Sequence, residues 1–135
     1  MDILTRSERS EVMSRVRGKD TRPEMLVRRL IHAMGYRYRL HRRDLPGVPD
    51  LVFVGRRKII FIHGCFWHRH PDCPNNRMPK SNVTFWRKKL SANRRRDRAN
   101  LKRLLALDWK ALVLWECQLR DVSAVRRKVR GFLEE

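Results

Sequence analysis

Apolar positions recur along this chain with two different periods. Leu26, Leu30, Ile31 and Met34 fall at the three- and four-residue spacing of one helix face. Thr21 stands ready to cap that helix, Pro23 sits in its first turn, and Glu24 follows the cap by three residues, as a capping box asks. Gly35 ends it. Tyr36 to Leu40 alternates, and Pro49 to Val54 follows a Pro/Gly turn. Lys58 to Ile62 is β-branched and almost wholly apolar, the pattern of a central strand buried on both faces. Asn82 to Leu107 returns to helical spacing, with Leu90, Leu101, Leu104 and Leu105 on the inner side. Trp109 to Trp115 predicts a strand, and Asp121 to Phe132 a closing amphipathic helix. Upstream, Thr5 to Arg17 reads as a short basic helix with a narrow stripe of Val12, Met13 and Val16. A stripe so thin suits an arm, residues 1–18, that orders on a partner. The order α, α, βββ, loop, α, β, α predicts an α/β fold with a mixed sheet flanked by helices.

Length and charge narrow the class. The 135 residues suit one domain spanning the whole chain. Hydrophobic residues make up 41%, which excludes a disordered basic tail. The formal net charge of +19 calls for a polyanion, and nucleic acid is the expected one. The longest apolar run, Ile59-Ile60-Phe61-Ile62, is far short of a membrane span. The opening Met1-Asp2-Ile3-Leu4-Thr5-Arg6 turns polar at once, so a cytoplasmic protein is expected.

The stretch from His63 to Ser81 has neither period. It holds three prolines, three histidines and two of the three cysteines, so it needs its own organiser or a function. Cys65, His70 and Cys73 lie at ligand spacing, and Cys117 closes the last strand. A Cys3His set fills a tetrahedral Zn²⁺ shell completely and leaves no position for water, so such a metal is structural. The bland alternative is three unconnected buried thiols, but the loop's lack of any other organiser favours zinc.

Candidate chemistry clusters around that loop. Asp50 opens an apolar strand. In a nuclease sheet an Asp so placed binds Mg²⁺, although the dipeptide Pro49-Asp50 alone is more often a turn. The next strand ends in Phe61-Ile62-His63 without a carboxylate, which leaves the Ile62 main-chain carbonyl as an oxygen ligand and His63 as a phosphate contact. His68 has the chemistry to deprotonate water, though a lone His is usually a surface one. Glu24 suits capping first and a metal second. Two aromatic pairs, Phe66-Trp67 and Phe85-Trp86, sit beside basic residues as base-stacking groups do. Lys88, Lys89, Arg94 and Arg95 cover more than one helix face, a phosphate-binding pattern at this net charge.

Taken in order, the chain resembles the very-short-patch-repair (Vsr) mismatch endonucleases. The shared stretches are Leu45-Pro46-Gly47-Val48-Pro49-Asp50, Phe61-Ile62-His63-Gly64-Cys65-Phe66-Trp67-His68, Thr84-Phe85-Trp86 and Trp115-Glu116-Cys117. The resemblance implies a restriction-endonuclease-like fold and a Mg²⁺-dependent enzyme that nicks double-stranded DNA 5′ to the T of a T·G mismatch. It implies Asp50 and the Ile62 carbonyl as Mg²⁺ ligands, with His63, His68 and Glu24 catalytic and His68 activating water. Cys65, His70, Cys73 and Cys117 would hold structural Zn²⁺. Phe66, Trp67 and Trp86 would wedge beside the mismatch from the major groove, and Met13 and Val16 would enter from the minor groove. The expected state is a monomer, with mismatch-repair proteins as candidate partners. The rival reading is a zinc-stabilised basic nucleic-acid-binding module without catalysis, which leaves the order of Asp50, His63 and His68 unexplained.

Overall fold

A computed structural model describes residues 21–135. Its elements are α1 (Arg22–Ala33), β1 (Arg39–Leu40), β2 (Leu51–Phe53), β3 (Lys58–His63), α2 (Val83–Ala106), β4 (Lys110–Trp115) and α3 (Val122–Glu134). The sheet runs β1-β2-β3-β4; β1, β2 and β3 pair antiparallel, and β4 joins β3 in parallel. The expected mixed sheet is therefore present. The strand expected from Tyr36 shortens to Arg39–Leu40, both exposed, because an edge strand has one neighbour and little to bury.

Side-chain alternation divides two cores. Leu51, Phe53, Ile60 and Leu114 face α1 and α3, packing with Val27, Ile31, Val125 and Val129. Val52, Ile59 and Phe61 face α2, packing with Leu45, Leu104 and Trp109. The sheet is thus a middle layer between helices, which explains why β2 and most of β3 read as unbroken apolar runs. Two helix assignments shift. Val27, fully buried, takes the inward place expected of Leu26, which is exposed. Leu105 points to solvent while its neighbour Leu104 is buried, since adjacent helical residues stand about 100° apart.

Lys58 is buried at the start of β3. Its ammonium donates to the carbonyls of Phe132, at 2.6 Å, and Glu135, at 3.1 Å. It satisfies orphan carbonyls at the end of α3 and suits the negative end of that helix. Gly47, at φ +79, turns the chain before Pro49. A Cβ there would lie 3.0 Å from Asn100 and 3.1 Å from Phe61, so the close approach needs glycine. Among the described residues no helix is long and apolar enough to cross a membrane.

Candidate active site and metal centres

The functional side chains gather at one end of the sheet. Continuing the alternation past Val52 puts Asp50 on the α2 face, and continuing past Ile59 and Phe61 puts His63 there too. The β2–β3 ladder stops at Leu51 opposite Ile60, and Pro49 has no N–H with which to extend it. The Ile62 N–H instead donates to Asp50 Oδ2 at 2.7 Å. That bond fixes the carboxylate and leaves Oδ1 turned toward α1. Thr21 caps α1 by accepting the Glu24 N–H at 3.4 Å. The Glu24 side chain does not fold back on the cap. It is buried, takes a hydrogen bond from Arg28 at 3.3 Å, and lies 2.8 Å from His41 Nε2. His41 Nε2 is also 3.9 Å from Asp50 Oδ1. Burial pushes the Asp50 carboxyl up to about 6, and nearby Glu24 adds to this against the pull of the Ile62 N–H.

Across the cleft, His68 Nδ1 is 2.6 Å from Asp97 Oδ2 on α2. A carboxylate at Nδ1 holds the ring in the tautomer that leaves Nε2 as an acceptor. The His63 ring stacks on His68 with centroids 3.8 Å apart and planes 7° from parallel. Its own Nδ1 is buried without a hydrogen bond, and burial lowers its pKa to about 3, so His63 is neutral. Asp50, Ile62, His63, His68, Asp97 and Glu24 line one cleft of about 530 Å³.

Behind this cleft the irregular loop closes on itself. Sγ of Cys65, Cys73 and Cys117 and a ring nitrogen of His70 lie within 4.8 Å of one another. Three thiols and an imidazole at that spacing match the soft tetrahedral donor set of a structural metal. Burial pushes the Cys65 thiol up to about 12, so a cation is what would stabilise its thiolate. The His70 ring stacks on Trp115 at 4.2 Å, and Glu116 accepts the Cys65 N–H at 3.1 Å. The Cys3His loop and the stacked His63–His68 pair thus share one scaffold, the C-terminal ends of β3 and β4.

A family profile described as DNA mismatch endonuclease Vsr matches residues 1–75. Over 133 residues the chain is 47% identical to a type II nicking enzyme of Xanthomonas oryzae pv. oryzae, covering 98% of this chain and 97% of that protein. The chain belongs to the Vsr family. It is also 39% identical over 134 residues to a type II nicking enzyme of Neisseria meningitidis, covering 99% of this chain and 95% of that one. To the DNA mismatch endonuclease Vsr of Escherichia coli K12 it is 38% identical over 119 residues, covering 88% and 76%. The architecture is the restriction-endonuclease-like α/β one, and the chain is an endonuclease.

The Vsr-type aromatics form a cluster at the cleft mouth. Phe66 and Trp67 are half-buried, with their rings 5.1 Å apart. Trp86 is only 4% exposed and underlies both, at 5.6 Å from Phe66 and 5.9 Å from Trp67. Without DNA, Trp86 is therefore the platform on which the Phe66 and Trp67 rings rest. Phe85, the other member of its pair, is 57% exposed. Lys88, Arg94 and Arg95 are exposed on α2, and Lys89 lies over the Phe85 ring. Met13 and Val16 lie outside the described residues.

Two site residues escaped the sequence reading. Asp97 stood inside a basic run that reads as a phosphate-binding surface. Its signal was positional: Trp86, Leu90, Asn93, Asp97, Asn100 and Leu104 follow one 4-3-4-3-4 stripe, so Asp97 was on the inner face. His41 carried no such signal, because only the fold brings it to Glu24.

Proposed function

We propose that this Vsr-family chain is a Mg²⁺-dependent endonuclease that nicks one strand of double-stranded DNA 5′ to the T of a T·G mismatch and so initiates very short patch repair. The observation that carries this reading is the adjacency of wedge and base. Phe66 and Trp67 immediately precede His68, whose ring is held by Asp97. Rings inserted into the base stack beside a weakly stacked wobble pair therefore deliver the neighbouring phosphate to His68.

Asp50, the Ile62 carbonyl and Glu24 would hold Mg²⁺, which when bound neutralises the phosphate and acidifies water. His68 Nε2 accepts the proton of the attacking water, and Asp97 steadies the resulting imidazolium. Neutral His63 stacks behind His68 and keeps its plane. Hydrolysis leaves a 3′-hydroxyl and a 5′-phosphate. Lys88, Lys89, Arg94 and Arg95 contact phosphates and set affinity rather than choice of site, while Met13 and Val16 of the arm enter the minor groove. Cys65, His70, Cys73 and Cys117 hold Zn²⁺ as a structural pin. The chain works as one domain over residues 1–135, as a cytoplasmic monomer, beside mismatch-repair proteins.

The test is nicking across duplexes that differ only in one base pair, with and without Mg²⁺. The expected result is cleavage of the T strand of T·G alone, and only with the cation. Equal cleavage of matched duplex, or full cleavage without a divalent cation, would refute the reading.

A further inference from the structure

His41 is placed as a ligand, and no hydrogen bond in the described structure uses its inner nitrogen. Its Nε2 is buried and has no hydrogen-bond partner, although Glu24 Oε2 is 2.8 Å away and Asp50 Oδ1 is 3.9 Å away. The near oxygen is within reach, yet no hydrogen bond joins the two. The backbone of His41 is in the left-handed region, at φ 46, which a non-glycine residue rarely adopts. In this conformation the His41 N–H donates to the Asp50 carbonyl at 3.4 Å, and the imidazole lies beside both acidic side chains.

The spacing suits a shared cation better than an ion pair. Ligands at about 2.1 Å from an octahedral ion stand about 3 Å apart when adjacent and about 4.2 Å apart when opposite. The two distances from Nε2 fall close to those values, and the donor atoms of Glu24, His41 and Asp50 all lie within 4.8 Å of one another. Asp50 can serve this side through Oδ1, because Oδ2 is tied to the Ile62 N–H.

We propose that His41 Nε2, Glu24 and Asp50 Oδ1 form one N,O,O cation site, in which His41 is a direct metal ligand that tilts the enzyme toward first-row transition-metal ions. This deepens the proposed catalytic role of Asp50 and rests on it. A nitrogen donor adds little for Mg²⁺, which prefers oxygen, and more for a transition ion such as Mn²⁺. The order Mn²⁺ over Mg²⁺ is thus a property of this one side chain. His41→Gln keeps a side chain of similar reach and substitutes an amide oxygen.

The experiment uses Mn²⁺ as the probe, added to the full chain bound to nicked product duplex and followed by electron spin resonance. The wild-type spectrum is expected to show ¹⁴N coupling from a directly bound imidazole. In His41→Gln that coupling should vanish and Mn²⁺ affinity should fall about tenfold or more, taking metal-site variants as the guide. Mg²⁺ affinity, read by competition against Mn²⁺, should change by less than threefold. Bound Mn²⁺ without ¹⁴N coupling in the wild type overturns the inference whether or not any variant folds. Coupling that persists in His41→Gln also overturns it, by assigning the nitrogen to His63 or His68. If Asp50→Asn abolishes Mn²⁺ binding in either of those cases, the catalytic reading of Asp50 survives and only His41 is misassigned. If Mn²⁺ does not bind, or binds undiminished in Asp50→Asn, both fall.

Discussion

Asp50→Asn should make the metal-free protein more stable while abolishing cleavage. The carboxyl is pushed from its ordinary 3.8 to about 6, first by burial and then by Glu24. Because the folded state holds this proton to higher pH than the unfolded chain, stability falls as pH rises from 3.8 to about 6. The penalty is complete above that range. At about 1.4 kcal/mol per tenfold in acidity, ionising Asp50 costs the fold about 3 kcal/mol at pH 8 and roughly half as much at pH 5. The side chain keeps 22% exposure, which makes this an upper figure. Asn retains an oxygen for the Ile62 N–H and removes the charge. For a chain of this size the gain corresponds to a rise in Tm of about 10 °C at pH 8. The assay is thermal unfolding at pH 5 and pH 8 in Mg²⁺-free buffer without chelator, so that the proposed Zn²⁺ is not stripped from the cysteine site. Adding Mg²⁺ should raise the wild-type Tm and leave Asp50→Asn unmoved. A variant no more stable than wild type at pH 8, or a gain that does not shrink at pH 5, would refute the reasoning.

Three further outcomes are expected. His68→Ala should lower single-turnover nicking by about 10²- to 10⁴-fold; Asp97→Asn, which removes the partner fixing the ring's tautomer, should cost about as much without weakening DNA binding, and normal cutting by either variant would move the base elsewhere. Elemental analysis should find one Zn²⁺ per chain, and Cys73→Ala should expose the 64–82 loop to protease, since metal ligation contributes directly to folding; active protein without zinc would contradict this. Trp67→Ala should erode the binding ratio of mismatched to matched duplex by roughly 1–3 kcal/mol, whereas Arg95→Ala should weaken both alike and flatten the salt dependence; an intact ratio in Trp67→Ala would make that ring simple packing.

Much of the site was legible because its signals are local. The run Ile59 to Ile62 is apolar on both alternating faces, and only a strand between two layers can bury both, so the middle of the sandwich could be read from a few residues. Cys65, His70 and Cys73 are close along the chain, and the need of an irregular loop for an organiser pointed to Cys117 as the fourth donor. Asp50 and His63 are set by strand ends, where alternation dictates direction. The order of these residues sufficed for the family resemblance as well.

What depended on tertiary structure is which distant residues share a cleft. His68 and Asp97 are 29 residues apart, and their pairing needs α2 to pack with one chosen face against the sheet. That same rotation buries Trp86 beneath Phe66 and Trp67, and turns Leu105 outward. The leucines gave this helix an inner side, but its arginines cover more than one face and leave the exact rotation open. Glu24 and His41 meet only because α1 and the chain leaving β1 converge on Asp50. Periodicity specifies which residues of an element face inward. It does not specify what they face, because that follows from how several layers pack at once, with burial of both apolar faces of the sheet deciding the arrangement.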